Sequence, residues 1–304
     1  MRCLALAALA LLSSGWVPSA ASRGEAPPKT EPPVAVAAVE TEPARPVPVV
    51  ELEPVTFGAW QGFGIAGCSY LAPTALEPTV DVVFHFHAGQ MATRDLKASG
   101  MRGVFVACGY GIGSESYGKP FESPAAFGTM LTRLLAALGR SAGHPVELRR
   151  LGLASWSAGF AAVAKILAVP EWYEKTDSVV LNDSLHAGYT DAGDVDVKML
   201  RTFVRFASDA RAGRKLMAIT HSAIVPPGYA SSAEATAALL AEAGWTGTSR
   251  DHAAEDGLTV SVDDGGLHVR GFRGTGPQDH FDHLHRIGET LRSWVVPRWY
   301  TPAQ

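Results

Sequence analysis

Residues Glu147–Val169 read ELRRLGLASWSAGFAAVAKILAV. The segment divides into a buried strand, a tight turn and an apolar helix, with Ser157 at the turn. Around that serine the order is small-x-Ser-x-small: Ser155, Trp156, Ser157, Ala158, Gly159. A nucleophile on a strand-to-helix turn requires such a pattern. Neighbouring backbones pass too close for bulky side chains, and the N-terminus of the following helix aims free N–H groups at the reacting atoms. The reading of the chain turns on whether other segments supply what a serine nucleophile needs.

Strands and helices alternate on both sides of this segment. Val80–His87 (VDVVFHFH) and Arg102–Cys108 (RGVFVAC) are predicted strands, the second running into the glycine-rich GYGIGSESYG. Ser123-Pro124 has the form of a helix N-cap with proline at the first helical position. Phe127, Met130, Leu131, Leu134, Leu135 and Leu138 then recur at helical spacing. Ser178–Leu181 and Leu216–Thr220 are further strands, separated by a helix predicted over Asp194–Ala212. Ser231 and Glu234 have capping-box spacing before an alanine-rich helix. A hairpin is predicted from Leu258–Val262 and Leu267–Phe272, followed by a last helix with Leu284, Ile287, Leu291, Trp294 and Val295 inward. Near-continuous apolar strands alternating with helices imply an α/β fold with a mainly parallel central sheet covered on both faces.

The rest of the chain bounds the function. Of 304 residues, 47% are hydrophobic and 18% charged, with a formal net charge of −4. That composition supports a large core and carries no basic footprint for nucleic acid. Residues 1–21 resemble a secretory signal: Arg2, an apolar run over Leu4–Leu12, and the small-x-small site Ser19-Ala20-Ala21. The apolar run is too short for a lasting membrane span, so a secreted or periplasmic protein is expected. Residues 22–54 repeat proline among Ala, Val and Glu and are expected to form a disordered tether. The folded domain is then 55–304. If Cys3 is removed with the signal, Cys68 and Cys108 remain, as a disulfide or as two buried thiols.

In a parallel sheet, chemistry collects at the carboxyl ends of strands. Four such ends carry reactive side chains: His85-Phe86-His87-Ala88-Gly89-Gln90, the Ser157 turn, Asn182-Asp183-Ser184-Leu185-His186, and Asp279-His280-Phe281-Asp282-His283-Leu284-His285. A serine hydroxyl is a weak nucleophile until an imidazole takes its proton and an acid orients that imidazole. Serine, carboxylate and histidine occur here in that order. The loop Gly109-Tyr110-Gly111-Ile112-Gly113 lacks the spacing of a dinucleotide fingerprint and reads as a cleft wall.

Over roughly Val80–Tyr300 the alternation, the SWSAG turn and the order Ser–Asp–His resemble the α/β-hydrolase fold. The resemblance implies a serine hydrolase cleaving a carboxylic ester or amide through an acyl-enzyme. It implies Ser157 as nucleophile, His280 as base and Asp183 as acid. For the oxyanion it implies the N–H of Ala158 together with one from Ala88, Gly89 or Gln90. This chain departs from the family pattern in two places. Ser155 stands where G-x-S-x-G has its first glycine, and Leu216–Thr220 is followed by His221-Ser222-Ala223 rather than a carboxylate, which moves the acid one strand earlier. His283 is the alternative base, with His285 behind it. His87, Trp156, His186 and Tyr189 are expected around the pocket. No cofactor is implied, and the expected partner is a small-molecule or polymer ester or amide. Two other readings stay open on the residues: a metal-dependent hydrolase using His85, His87 and the 279–285 cluster, and a non-catalytic binding module on the same fold.

Overall fold

The structure, a computed structural model, describes residues 55–251 and 257–301. The expected signal and tether, 1–21 and 22–54, lie outside the described residues. Among the described residues no helix is long and apolar enough to cross a membrane.

Among the described residues ten strands form one sheet: β1 (Gln61–Gly62), β2 (Cys68–Leu71), β3 (Thr79–Phe86), β4 (Val104–Cys108), β5 (Glu147–Trp156), β6 (Thr176–Asn182), β7 (Leu216–His221), β8 (Arg250–Asp251), β9 (Leu258–Asp264) and β10 (Leu267–Phe272). Their spatial order is β1-β2-β4-β3-β5-β6-β7-β10-β9-β8. The six central strands, β4 to β10 in that order, are parallel, and both margins are antiparallel. The chain winds outward from β3 in both directions, so the sheet has its switch point between β3 and β5. A crevice opens there at the carboxyl ends.

Helices α1 (Thr93–Lys97), α2 (Ser114–Gly118), α3 (Ala126–Ala142), α4 (Phe160–Leu167), α5 (Pro170–Lys175), α6 (Val197–Arg211), α7 (Ser232–Glu242), α8 (Pro277–His285), α9 (Ile287–Thr290) and α10 (Val296–Tyr300) cover the sheet. Strand alternation sorts the core into two layers. Phe84, Phe86, Leu153, Leu181 and Ile219 face α2 to α7, while Val83, Ala154, Val180 and Ala218 face α1 and α8 to α10. Helix α3 starts two residues beyond Pro124, and Asp196 rather than Asp194 caps α6 by accepting the Lys198 N–H. The capping box at Ser231 and Glu234 forms in both directions. Cys68 and Cys108 are joined as a disulfide across β2 and β4. This is an α/β-hydrolase-like three-layer architecture.

Candidate active site

Ser157 follows β5 directly and holds φ = 52°. This left-handed backbone costs a residue with a Cβ about 1–3 kcal/mol and persists only where packing enforces it. Gly159 shows the enforcement. A Cβ added there would stand 2.2 Å from the Phe86 carbonyl oxygen, so the turn is pressed onto the end of β3. Ser155, in place of the family's first glycine, uses its hydroxyl. It lies 2.7 Å from Ser184 Oγ, and Ser184 in turn donates to the Ser157 carbonyl at 2.7 Å. The loop after β6 is thereby fastened to the Ser157 turn, a link between distant positions that local sequence pattern does not reveal.

That loop begins with Asp183, also in the left-handed region at φ = 46°. Its carboxylate is buried and accepts three hydrogen bonds. The Ser222 N–H reaches Oδ1 at 3.0 Å, the Ser222 hydroxyl reaches Oδ2 at 2.8 Å, and His280 Nδ1 lies 2.7 Å from Oδ2. Burial alone would raise its pKa. The hydrogen bond from His280, the nearby His283 ring and the Ser222 N–H outweigh burial, and hold the carboxyl well below the usual carboxylate range. Ser222 therefore accounts for the missing acid after β7: that strand end supplies donors to a carboxylate carried by its neighbour. A serine beside a strand end has no distinctive spacing, so nothing in the sequence singles out Ser222.

His280 lies in the first turn of α8 and is a quarter exposed. Its ring packs 4.5 Å from that of Trp156, and Trp156 Nε1 donates to the His280 carbonyl at 2.8 Å. Because Nδ1 faces a carboxylate it carries the hydrogen, which leaves Nε2 as the acceptor nitrogen. Ser157, Asp183, Ser222 and His280 line one cavity of about 290 Å³. Ser157 Oγ makes no hydrogen bond to His280 among the described residues; such bonds commonly close only around substrate.

On the other side of Ser157 is a second cavity of about 510 Å³, lined by His87, Ile112, Ala158, Phe160, His186 and Met199 among others. His87 and Ala88 have φ of 75° and 55°, and a short 3₁₀ turn starts at Gly89. The first N–H groups of such a turn have no intrahelical acceptor. Gly89 fits tightly: a Cβ there would come within 2.9 Å of His85 Nδ1. The close approach of Gly159 to Phe86 sets the start of this loop against the Ser157 turn.

Other expectations require correction or resolve differently. Trp156 was expected at the pocket but lines neither cavity. It follows Ala154 onto the α8–α10 side of the sheet and is wedged between the rings of His87 at 4.8 Å and His280 at 4.5 Å. Tyr189 also stays out of the cavity walls, its hydroxyl donating to the Glu234 carboxylate at 3.1 Å. His186 lines both cavities. The structure does not bring His283 to Ser157: it is buried, Nδ1 lies 2.7 Å from Thr220 Oγ1, and its carbonyl accepts from Asn182 Nδ2. Burial lowers the His283 pKa to about 4.

The side chains proposed as metal ligands are dispersed. His285 pairs with Asp95, Asp279 caps α8 at the Gly276 N–H, and Asp282 accepts from Gln278. His85 is sealed under the 87–90 loop, with burial lowering its pKa to about 3. Among the described residues no group of three or more His, Cys, Asp or Glu is arranged to hold a metal ion.

No protein-family model and no curated protein matches the chain. Among solved structures it is similar to a cold-adapted esterase from an Arctic intertidal metagenomic library, at 12% identity over 74% of this chain and 87% of that one, with a TM-score of 0.38. It is also similar to TT1662 from Thermus thermophilus, at 17% identity over 78% and 98% of the two chains, with a TM-score of 0.41. The fold assignment stands on the strand order and on the strand–turn–helix at Ser157.

Proposed function

We propose that the protein is a serine hydrolase that cleaves a carboxylic ester or amide through an acyl-enzyme. One observation carries the reading. Among the described residues, four non-glycine residues have positive φ: His87, Ala88, Ser157 and Asp183. All four lie just past the carboxyl ends of three adjacent parallel strands, β3, β5 and β6. Strain concentrated this way is a feature of sites that hold reacting groups in place.

In this reading Ser157 Oγ attacks the substrate carbonyl carbon while His280 Nε2 accepts the hydroxyl proton. Asp183 keeps the imidazole oriented and stabilises the imidazolium. The negative charge gathering on the carbonyl oxygen is met by the Ala158 N–H and one N–H from Ala88 to Gln90. The bond to the leaving group then breaks, and His280 returns its proton to the departing oxygen or nitrogen. Water then enters and gives a proton to His280 as its oxygen bonds to the acyl carbon; the bond to Ser157 Oγ breaks, and His280 returns the proton to Oγ as the acid leaves.

Export belongs to the same proposal. The N-terminal segment has the pattern of a secretory signal, and the Cys68–Cys108 disulfide suits an oxidising compartment. Incubation of the purified protein with a fluorophosphonate tests the chemistry. One adduct per chain, absent in Ser157→Ala, is the expected result. An unlabelled native protein, or labelling that survives the substitution, contradicts it and favours a binding module.

A further inference from the structure

The two cavities that meet at Ser157 differ in which catalytic group they contain, and that difference fixes how an ester must lie. The leaving oxygen has to reach His280 Nε2 to receive its proton. Of the two, the cavity of about 290 Å³ includes His280, and its wall includes Ser222, Ile224, Pro226, Thr275 and Pro277, while His186 and Tyr229 line both. The cavity of about 510 Å³ includes Ala158 and His87 but not His280. A carbonyl held with its oxygen toward Ala158 and its leaving group toward His280 therefore sends its acyl chain into the larger space.

The chemistry of the walls narrows the substrate further. Among the described residues, neither cavity is lined by Lys, Arg or Glu, and the one Asp, Asp183, already accepts three hydrogen bonds. Burial lowers the pKa of both His87 and His186, so these rings are neutral near pH 7. An anionic acyl chain would find no counter-charge there, and its desolvation would go uncompensated. Three of the six exposed large apolar side chains among the described residues, Ile112, Met199 and Tyr229, line the larger cavity, and Tyr189 follows its Gly188 wall; Tyr229 also lines the smaller cavity, where Val225 sits between Ile224 and Pro226. Ile112 and Met199, apolar and left in water at the rim of the larger cavity, mark a surface that an apolar ligand covers.

Building on the hydrolase reading, we infer that the substrate is a neutral ester with an extended apolar acyl chain and a compact alcohol. The acyl chain lies in the cavity bounded by Ile112, Phe160 and Met199, and the alcohol lies between His280, Ile224 and Thr275. Chain-length preference is set by the first group and leaving-group size by the second.

Two matched series test this with the full chain: 4-nitrophenyl esters of acids from acetate to decanoate, and butyrate esters of alcohols from methanol to octanol. Each methylene the larger cavity buries should raise kcat/KM about fourfold, until the space is filled. The alcohol series should level off or fall after the short members. Met199→Trp should cut the ratio of long-acyl to short-acyl kcat/KM by about tenfold and leave the alcohol ratio in place. Thr275→Trp should do the reverse. Both positions are exposed, so the variants should fold. A 4-nitrophenyl monoester of succinate should be slower than the butyrate by about a hundredfold, the scale of an unpaired buried charge.

Swapped effects of the two variants, a flat acyl series, or equal turnover of the succinate monoester would overturn this assignment while leaving the hydrolase reading intact. No hydrolysis of any ester together with no fluorophosphonate adduct would remove both.

Discussion

The two ends of the central sheet each carry a cavity of similar size, and they are built on opposite terms. At the amino ends of β3, β4 and β5 a space of about 540 Å³ is lined by Asp81, Arg102, Arg149 and Tyr300. There the charges cancel. Asp81 is fully buried and accepts from Arg149 Nε at 2.8 Å and from Arg149 Nη2, with Arg150 at 3.8 Å. No described residue lining it has a positive φ. At the carboxyl ends the arrangement is reversed. Four strained backbones gather there, and among the described residues His85 and His87 keep buried ring nitrogens without a close hydrogen-bond partner. Volume thus does not separate the two ends. Strain and incompletely paired groups, rather than volume, distinguish an end built for chemistry from an end that closes the fold.

Substitutions at the two ends should therefore separate activity from stability. Ser157→Ala should lower ester hydrolysis by about 10⁴-fold or more with little change in Tm, read by initial rates and thermal melts. Asp183→Asn leaves His280 free to adopt the other tautomer and should cost about 10³-fold in kcat. At the opposite end, Arg149→Ala strips the main partner from a buried carboxylate. It should lower the unfolding free energy by about 3 kcal/mol in urea melts while kcat/KM stays within about twofold.

The buried histidines set an acid limit to stability. His283 has a folded pKa of about 4 against 6.5 for the free side chain, so below pH 6.5 the unfolded chain binds the extra proton. Stability then falls as pH drops from 6.5 toward 4. His283→Gln should flatten that slope by up to about 1.4 kcal/mol per pH unit, measured by urea melts across the range. The smallest effect is expected for Ser222→Ala. Removing one hydroxyl donor from Asp183 should reduce kcat by about tenfold with the Ser222 N–H still in place.

Much of this organisation was legible in the sequence, for physical reasons. Strands β3 to β7 are buried on both faces and print as apolar runs, and the Ser157 turn prints because close backbone approach demands Gly159. Asp183 and His280 were found by position, each beyond a later strand, and the structure joins them. What escaped depended on contacts between distant positions. Ser184 and Ser222 are ordinary serines until the fold sets one against the Ser157 carbonyl and the other against Asp183. Trp156 was misplaced because a large ring beside a nucleophile suggests a pocket wall, whereas alternation along β5 turns it toward α8. The cluster at 279–285 looked like a ligand set because helical spacing sends its members to separate partners that the sequence does not name. The cysteine pairing stayed open until β2 and β4 were seen as neighbours.

The most direct measurement is acid quenching during the first turnover of a 4-nitrophenyl ester, followed by peptide mass mapping. A burst of one nitrophenolate per chain, with the acyl mass on the peptide containing Ser157, is the expected result. Turnover without a burst, or an acyl group on any other residue, would contradict the assignment of Ser157 as the nucleophile.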